Sequence, residues 1–195
     1  MKWTGLTGGI ATGKSTVKKL LEGRGIPVID ADQISHRLTE PGASGYNAIL
    51  SQFGQGLILT DKSLDRKKLG QLIFSDSEKK AELEQILHPL IQSEVLNLRK
   101  KYSDEGHERC FYDVPLLFEK NLKAQFDCVV LVWCNPVTQL DRLIRRSKLV
   151  EAEALLRIKN QVALVEKVAA ADYCLDNSGS LQELDGQLQR LLAKL

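Results

Sequence analysis

The chain predicts an α/β fold: a parallel sheet of about five strands with helices on both faces. Three observations predict it. Short apolar runs alternate with helical patterns along most of the 195 residues, as a parallel sheet with crossover helices requires. One run, Phe126 to Cys134, is apolar without interruption (Val129, Val130, Leu131, Val132) and suits a strand buried on both faces. The stretch Gly8-Gly9-Ile10-Ala11-Thr12-Gly13-Lys14-Ser15-Thr16 matches the phosphate-binding pattern G-x-x-x-x-G-K-[S/T] from Gly8 to Ser15.

Lys2 to Thr7 forms the strand before that loop. Val17, Leu20 and Leu21 supply a helical face after it, and Gly23 and Gly25 are available to end the helix. A phosphate chain needs converging N–H donors, which a glycine-rich turn and a helix N-terminus provide. In this pattern Lys14 reaches the β- and γ-phosphates and the Ser15 hydroxyl is a Mg²⁺ ligand. Ile26, Val28 and Ile29 form a second strand, followed by Asp30 and Asp32. Ligands in open α/β sheets sit beyond the carboxyl ends of the strands, so either acid can serve the site, or cap the helix expected from Gln33 to Thr39.

Residues 40–106 lack strand patterns and read as a helical insertion, with helices from Gly45 to Phe53 and from Asp65 to Phe74. Ser75 and Glu78 have capping-box spacing before a longer helix. Pro89 interrupts that helix, so a kink or break is expected near His88, with or without a functional role. Cys110 to Glu119 is a third strand running into a loop. Asp113 lies at the strand end, where a second acid near Mg²⁺ belongs, or where a turn needs a cap. Asn135-Pro136 starts a helix carrying Arg142, Arg145 and Arg146, a solvated face or a lid that neutralises a moving phosphoryl group. One helix is expected over Glu151 to Val168, with Leu155, Ile158, Val162, Val165 and Val168 as its apolar residues. The last strand is Ala171 to Asp176, and Ser180 and Glu183 form a second capping box.

Composition narrows the classes. Hydrophobic residues make up 43% and charged residues 27%, and the net charge of +2 implies no duplex nucleic acid partner. No apolar run approaches the roughly 18 residues of a membrane span, and the chain enters a strand directly after Met1, so no signal peptide is expected. Of the four cysteines none forms a C-x-x-C pair. Cys128, Cys134 and Cys174 fall in apolar stretches and are expected in the core of a cytoplasmic protein. The three histidines show no metal spacing.

Several segments together resemble the dephospho-CoA kinase family. They are Gly5 to Ile10, Gly13 to Val17, Val28 to Asp32, Phe53-Gly54, Leu64-Asp65-Arg66, His88 to Ile91, Pro115 to Glu119, Gln139 with Arg142, Gln161, Ala171-Asp172 and Asn177-Ser178-Gly179. The loop departs at Ala11 and Thr12, where the family commonly has Gly and Ser. The resemblance implies a three-layer fold of the P-loop NTPase type in a single domain over 1–195. Its parts are a nucleotide core (about 1–39 and 107–195), an acceptor-binding insertion (about 40–106) and a small lid (about 136–150). It implies phosphorylation by ATP, with Mg²⁺, of the ribose 3′-hydroxyl of dephospho-CoA, the last step of coenzyme A synthesis. By motif, Asp32 is the base or hydroxyl-orienting acid, and Lys14 and Arg142 act in catalysis. ATP contacts are Gly8 to Thr16, Arg142, Asn177 and Gly179; acceptor contacts are Asp32, His88, Leu116 and Glu119; metal contacts are Ser15 and Asp113. A monomer or weak homo-oligomer is expected. Other small-metabolite kinases share the loop. A regulatory GTPase is disfavoured because no N-K-x-D motif follows the fourth strand.

Overall fold

The computed structural model describes residues 1–195. It separates into two compact units, Met1–Ile29 with Tyr102–Leu195, and Asp30–Lys101. The division falls at Ile29, so residues 30–39 belong with the helical unit and not with the core assigned to them from sequence.

The first unit holds β1 (Lys2–Gly8), α1 (Lys14–Glu22) and β2 (Val28–Asp30), the last reaching one residue past the division. The second unit opens with α2 (Ala31–Leu38), α3 (Ser44–Phe53) and α4 (Arg66–Phe74). Helix α5 (Ser77–Asp104) leads back to the first unit, which continues with β3 (Arg109–Asp113), β4 (Cys128–Trp133) and α6 (Pro136–Ser147). Then come α7 (Glu151–Lys159), α8 (Leu164–Ala170), β5 (Tyr173–Asp176) and α9 (Leu181–Leu192).

The five strands lie in the order β2-β3-β1-β4-β5. Strand β1 is central, parallel to β3 with Leu6 opposite Asp113 and to β4 with Leu6 opposite Val130. Alternation along β1 and β4 divides the core, because successive side chains point to opposite faces. Leu6, Val130 and Val132 pack with Val17 and Leu21 of α1 and with Leu184, Leu188 and Leu191 of α9. On the other face Val129 packs with Val114 and Leu117, and Trp3 stacks on Tyr112 and Phe126 at ring-centroid distances of 5.4 and 5.9 Å. Gly5 permits that aromatic layer: a Cβ there would lie 2.8 Å from the Leu117 side chain. The expected buried run is therefore a strand covered on both sides.

In the second unit Tyr46, Ile49, Leu50, Leu57, Leu64, Leu69 and Leu83 form a separate core. Gly45 lets α3 approach α2, since a Cβ would come 2.7 Å from the Leu38 carbonyl. Asp65 caps α4 through Lys68 N (2.9 Å), and Arg66 donates to Thr39 Oγ1 (2.7 Å). The Leu64-Asp65-Arg66 segment is thus a structural tie within this unit.

Four local expectations are corrected. Ser75 does not cap α5; Asp76 does, accepting from Glu78 N (3.0 Å) and Lys79 N (3.2 Å), while Ser75 ends α4. Of the kink or break expected at Pro89, the break does not occur: α5 runs through it for 28 residues, although proline has no N–H to offer Gln85 O. The single helix expected over 151–168 is two, because the chain leaves helical geometry from Asn160 to Ala163. Of its apolar residues Leu155, Val165 and Val168 are exposed and Ile158 and Val162 are half-buried, while the buried residues are Ala154 and Lys167. Cys174 is exposed, whereas Cys110, Cys128 and Cys134 are buried; all four are free thiols.

Candidate active site

Strand β1 delivers the chain to Gly8, and the loop turns back into α1 through Gly13. Both glycines are required. A Cβ on Gly8 would meet the Val132 carbonyl at 2.8 Å, and Gly13 has φ +94°. Ala11 also lies in the left-handed region, at φ +60°, where an L side chain carries a conformational penalty. Thr12 is fully buried and anchors the turn: its N–H and hydroxyl both donate to Gly9 O, at 3.2 and 2.9 Å. Asn177 Nδ2 reaches in from the end of β5 to donate to Thr12 O (2.8 Å).

The Lys14 ammonium pairs with the Asp113 carboxylate. Parallel register puts Asp113 beside Leu6, and Val114 N donates to Leu6 O (2.9 Å), which holds the acid at the loop. Ser15 lies in the first turn of α1 and is exposed. The loop, Lys14, Ser15 and Asp113 line a cleft of about 850 Å³ with Pro115, Asp141, Arg142, Arg145, Arg146 and Gln161. A set of backbone N–H groups, a lysine and arginines around one cleft is suited to a phosphate chain.

The arginines differ. Arg142 donates to Asn177 O (2.8 Å), which aims it from α6 toward the loop after β5. Arg145 is mostly exposed and pairs with Asp141 (2.9 Å), one turn away on α6. A smaller pocket of about 290 Å³ is lined by Gly13, Thr16, Arg142, Asn177, Gly179 and Leu181. Its turn is fastened by the capping box of α9. Ser180 N and Oγ donate to Glu183 Oε2 (2.7 and 2.9 Å), and these bonds, the backbone one first, pull the Glu183 carboxyl below its ordinary value. Beneath the arginine, burial pushes the Cys134 thiol up, with Arg142 pulling the other way.

The fold therefore gathers Gly8 to Ala11, Gly13 to Thr16, Asp113, Arg142, Asn177 and Gly179 around these two cavities, while Thr12, expected among the ATP contacts, is buried beneath the loop and lines neither. Leu116 is 39% exposed, next to Pro115 of the cleft. Glu119 is engaged inside the protein: Oε1 accepts from Val162 N (3.2 Å) and lies 2.6 Å from Lys167 Nζ, a charge contact more than an aligned hydrogen bond. Asp32 and His88 belong to the second unit. Asp32 is exposed in the first turn of α2, and His88 is exposed on α5 beside Pro89. The cap of α2 is Asp30, which accepts from Gln33 N (3.0 Å).

Sequence reasoning left out of the site two residues that touch the loop. Gln139 Nε2 donates to Ile10 O and Gln161 Oε1 accepts from Ile10 N, each at 2.8 Å. Their presence in the family-like pattern was the available signal. Asp172, from the same pattern, is structural. It accepts from Val129 N (2.8 Å) and pairs with Lys123 (2.8 Å), so despite some burial its carboxyl sits below the ordinary value.

The sequence profile of the family described as Dephospho-CoA kinase matches residues 2–183. A dephospho-CoA kinase of Listeria monocytogenes is 40% identical over 193 residues, covering 99% of this chain and 96% of its own length. One from Bdellovibrio bacteriovorus is 44% identical over 192 residues, covering 98% and 95%. The solved structure of dephospho-CoA kinase from Campylobacter jejuni superposes with a TM-score of 0.73 at 28% identity, over 98% of this chain and 96% of that one.

Proposed function

The chain belongs to the dephospho-CoA kinase family, and we propose that it transfers the γ-phosphoryl group of ATP to the ribose 3′-hydroxyl of dephospho-CoA, giving CoA. The observation that carries this reading is the shared cleft of the phosphate loop, Lys14, Asp113 and Arg142.

Phosphoryl transfer asks for positioning and charge stabilisation more than for covalent chemistry. The N–H groups where the loop enters α1 and the Lys14 ammonium hold the phosphates. Arg142, held by Asn177, screens charge as the phosphoryl group moves, and the pocket at Gly13, Asn177 and Gly179 takes the base. Asp32, just beyond β2, orients the acceptor hydroxyl. His88 and Leu116 serve the acceptor as well.

Mg²⁺ fits the donor set. Ser15 and Asp113 are hard oxygen donors, and the chain has no group of three or more His, Cys, Asp or Glu able to hold a metal. A cation here takes its remaining ligands from phosphates and water, as Mg²⁺ commonly does. When bound it neutralises charge on the phosphate oxygens. The Lys14–Asp113 pair supports this assignment, since it puts the acid beside the phosphate-binding lysine.

No helix is long and apolar enough to cross a membrane. We place the reaction in the cytoplasm, where ATP is supplied. We assign a monomer or weak homo-oligomer.

The test is incubation with ATP, Mg²⁺ and dephospho-CoA, with AMP and adenosine as truncated acceptors. Remote contacts to the pantetheine and pyrophosphate should raise kcat, so the expected order is dephospho-CoA, AMP, adenosine. Phosphorus NMR should place the new phosphate on the 3′-oxygen. ADP formed from AMP at the rate of the full acceptor would overturn the reading.

A further inference from the structure

Both backbone groups of Ile10 are taken by side chains from distant elements. Gln161 Oε1 accepts the N–H and Gln139 Nε2 donates to the carbonyl, each at 2.8 Å. We propose that Gln139 and Gln161 are positioning residues that clamp the phosphate loop through Ile10 and so register it against α6, the helix that carries Arg142. The inference rests on the phosphotransfer reading above.

Gln139 is 3% exposed, an uncommon place for a glutamine, and a buried amide must be hydrogen-bonded. It precedes Arg142 by three positions, so both lie on one side of α6. The clamp sits directly on the loop: a Cβ on Gly9 would come within 3.0 Å of Gln139 Nε2 and of the Leu164 side chain. The interruption between α7 and α8 includes Gln161. The interruption is itself held: Val162 N donates to Glu119 Oε1 (3.2 Å), and Glu119 contacts Lys167, which is fully buried.

The loop needs such support. Ala11, next to Ile10, has φ +60°, a conformation that persists in a non-glycine residue only when its surroundings impose it. Ile10 N–H is already used, so its contribution is to shape the loop and not to bind phosphate. A loop fixed to α6 presents its remaining N–H groups and Arg142 to the same phosphate chain, and small misplacements of such groups slow transfer steeply.

The experiment compares Gln139→Leu, Gln161→Leu and the double variant, each with Arg142 intact and with Arg142→Ala. Gln139→Asn and Gln161→Asn, one methylene short of Ile10, read the same question if a Leu variant does not fold. Each single variant should lose about tenfold or more in kcat. ATP affinity, by calorimetry, should change less, with Tm within about 4 °C of wild type. The double variant should be no slower than the worse single, because both act on one peptide. The Arg142→Ala penalty should shrink at least about threefold when either clamp residue is removed. Amide exchange at Ile10, followed by NMR, should quicken in Gln161→Leu. That readout tests the clamp even if wild type makes no CoA, an outcome that would instead sink the reading of the reaction. The clamp is overturned by kcat within twofold of wild type, by singles whose losses multiply, or by an Arg142 penalty that does not change.

Discussion

The phosphate loop and the start of α2 are both charged segments that follow a strand of the same sheet, yet they are built differently. In the loop several polar groups are bound within the protein, at Gly9, Ile10, Thr12 and Lys14. Thr12 turns back on Gly9, Asn177 holds Thr12, two glutamines hold Ile10, and Asp113 holds Lys14. At the start of α2 it is Asp30 that serves the helix, as its cap, and Asp32 stands exposed one position inside. The phosphate-binding geometry is therefore set by the fold before any ligand arrives. The acceptor acid keeps a side chain that solvent, or a substrate, can engage. Substitutions in the first region should disturb stability and rate together; those at Asp32 should disturb rate alone.

The largest effect should come from Lys14→Ala, about 100-fold or more in kcat, as for loss of one electrostatic stabiliser. It also strands the Asp113 carboxylate, which is 6% exposed, so Tm should fall. Adding Asp113→Asn should recover Tm without recovering activity. A Lys14→Ala enzyme within a few-fold of wild type would remove the phosphate-loop assignment.

Next is Asp32→Asn, with an expected loss of about 100-fold in kcat, unchanged ATP affinity and unchanged Tm. Asp30→Ala sharpens the contrast. It should lower stability by about 1 kcal/mol, as for a lost N-cap, and leave kcat within a few-fold. Equal kinetic losses at both acids would show that capping and catalysis are not divided as described.

Arg142→Ala should lower kcat/KM by about tenfold, roughly 1.4 kcal/mol of transition-state stabilisation. Arg145→Ala should do much less, since that side chain is exposed and pairs only along its own helix. Steady-state kinetics on both variants settles the ranking, and Arg142 as the milder of the two would contradict it.

The smallest effect is expected at Ala11→Gly. Removing the left-handed penalty of about 1 kcal/mol is largely offset by the greater freedom of glycine in the unfolded chain. Denaturant unfolding should show a gain of no more than about 0.5 kcal/mol. A loss of stability would mean that the Ala11 methyl contributes packing beyond its conformational penalty.

The sequence by itself determined whatever depends on near neighbours. The spacing of Gly8, Gly13 and Lys14 marks the loop, the run from Val129 to Val132 marks a strand buried on both faces, and Asn135-Pro136 and Ser180-x-x-Glu183 mark helix starts. Each is a local rule, of period two, of helical period, or of a cap satisfying an N–H three residues on. Where two local rules competed the sequence misled. Ser75 and Glu78 had the spacing of a capping box where Asp76 is the cap, and the apolar residues of 151–168 suggested one helix where there are two. Only the tertiary structure decided the contacts made across the chain. Ile10 meets Gln139 and Gln161 across separations of 129 and 151 residues, and Lys14 meets Asp113 across 99. Glu119, which the family resemblance put on the acceptor side, is joined to Val162 and the buried Lys167. No periodicity carries such information, because these pairs exist only where strand order and helix packing bring remote backbone and side-chain groups within hydrogen-bonding distance.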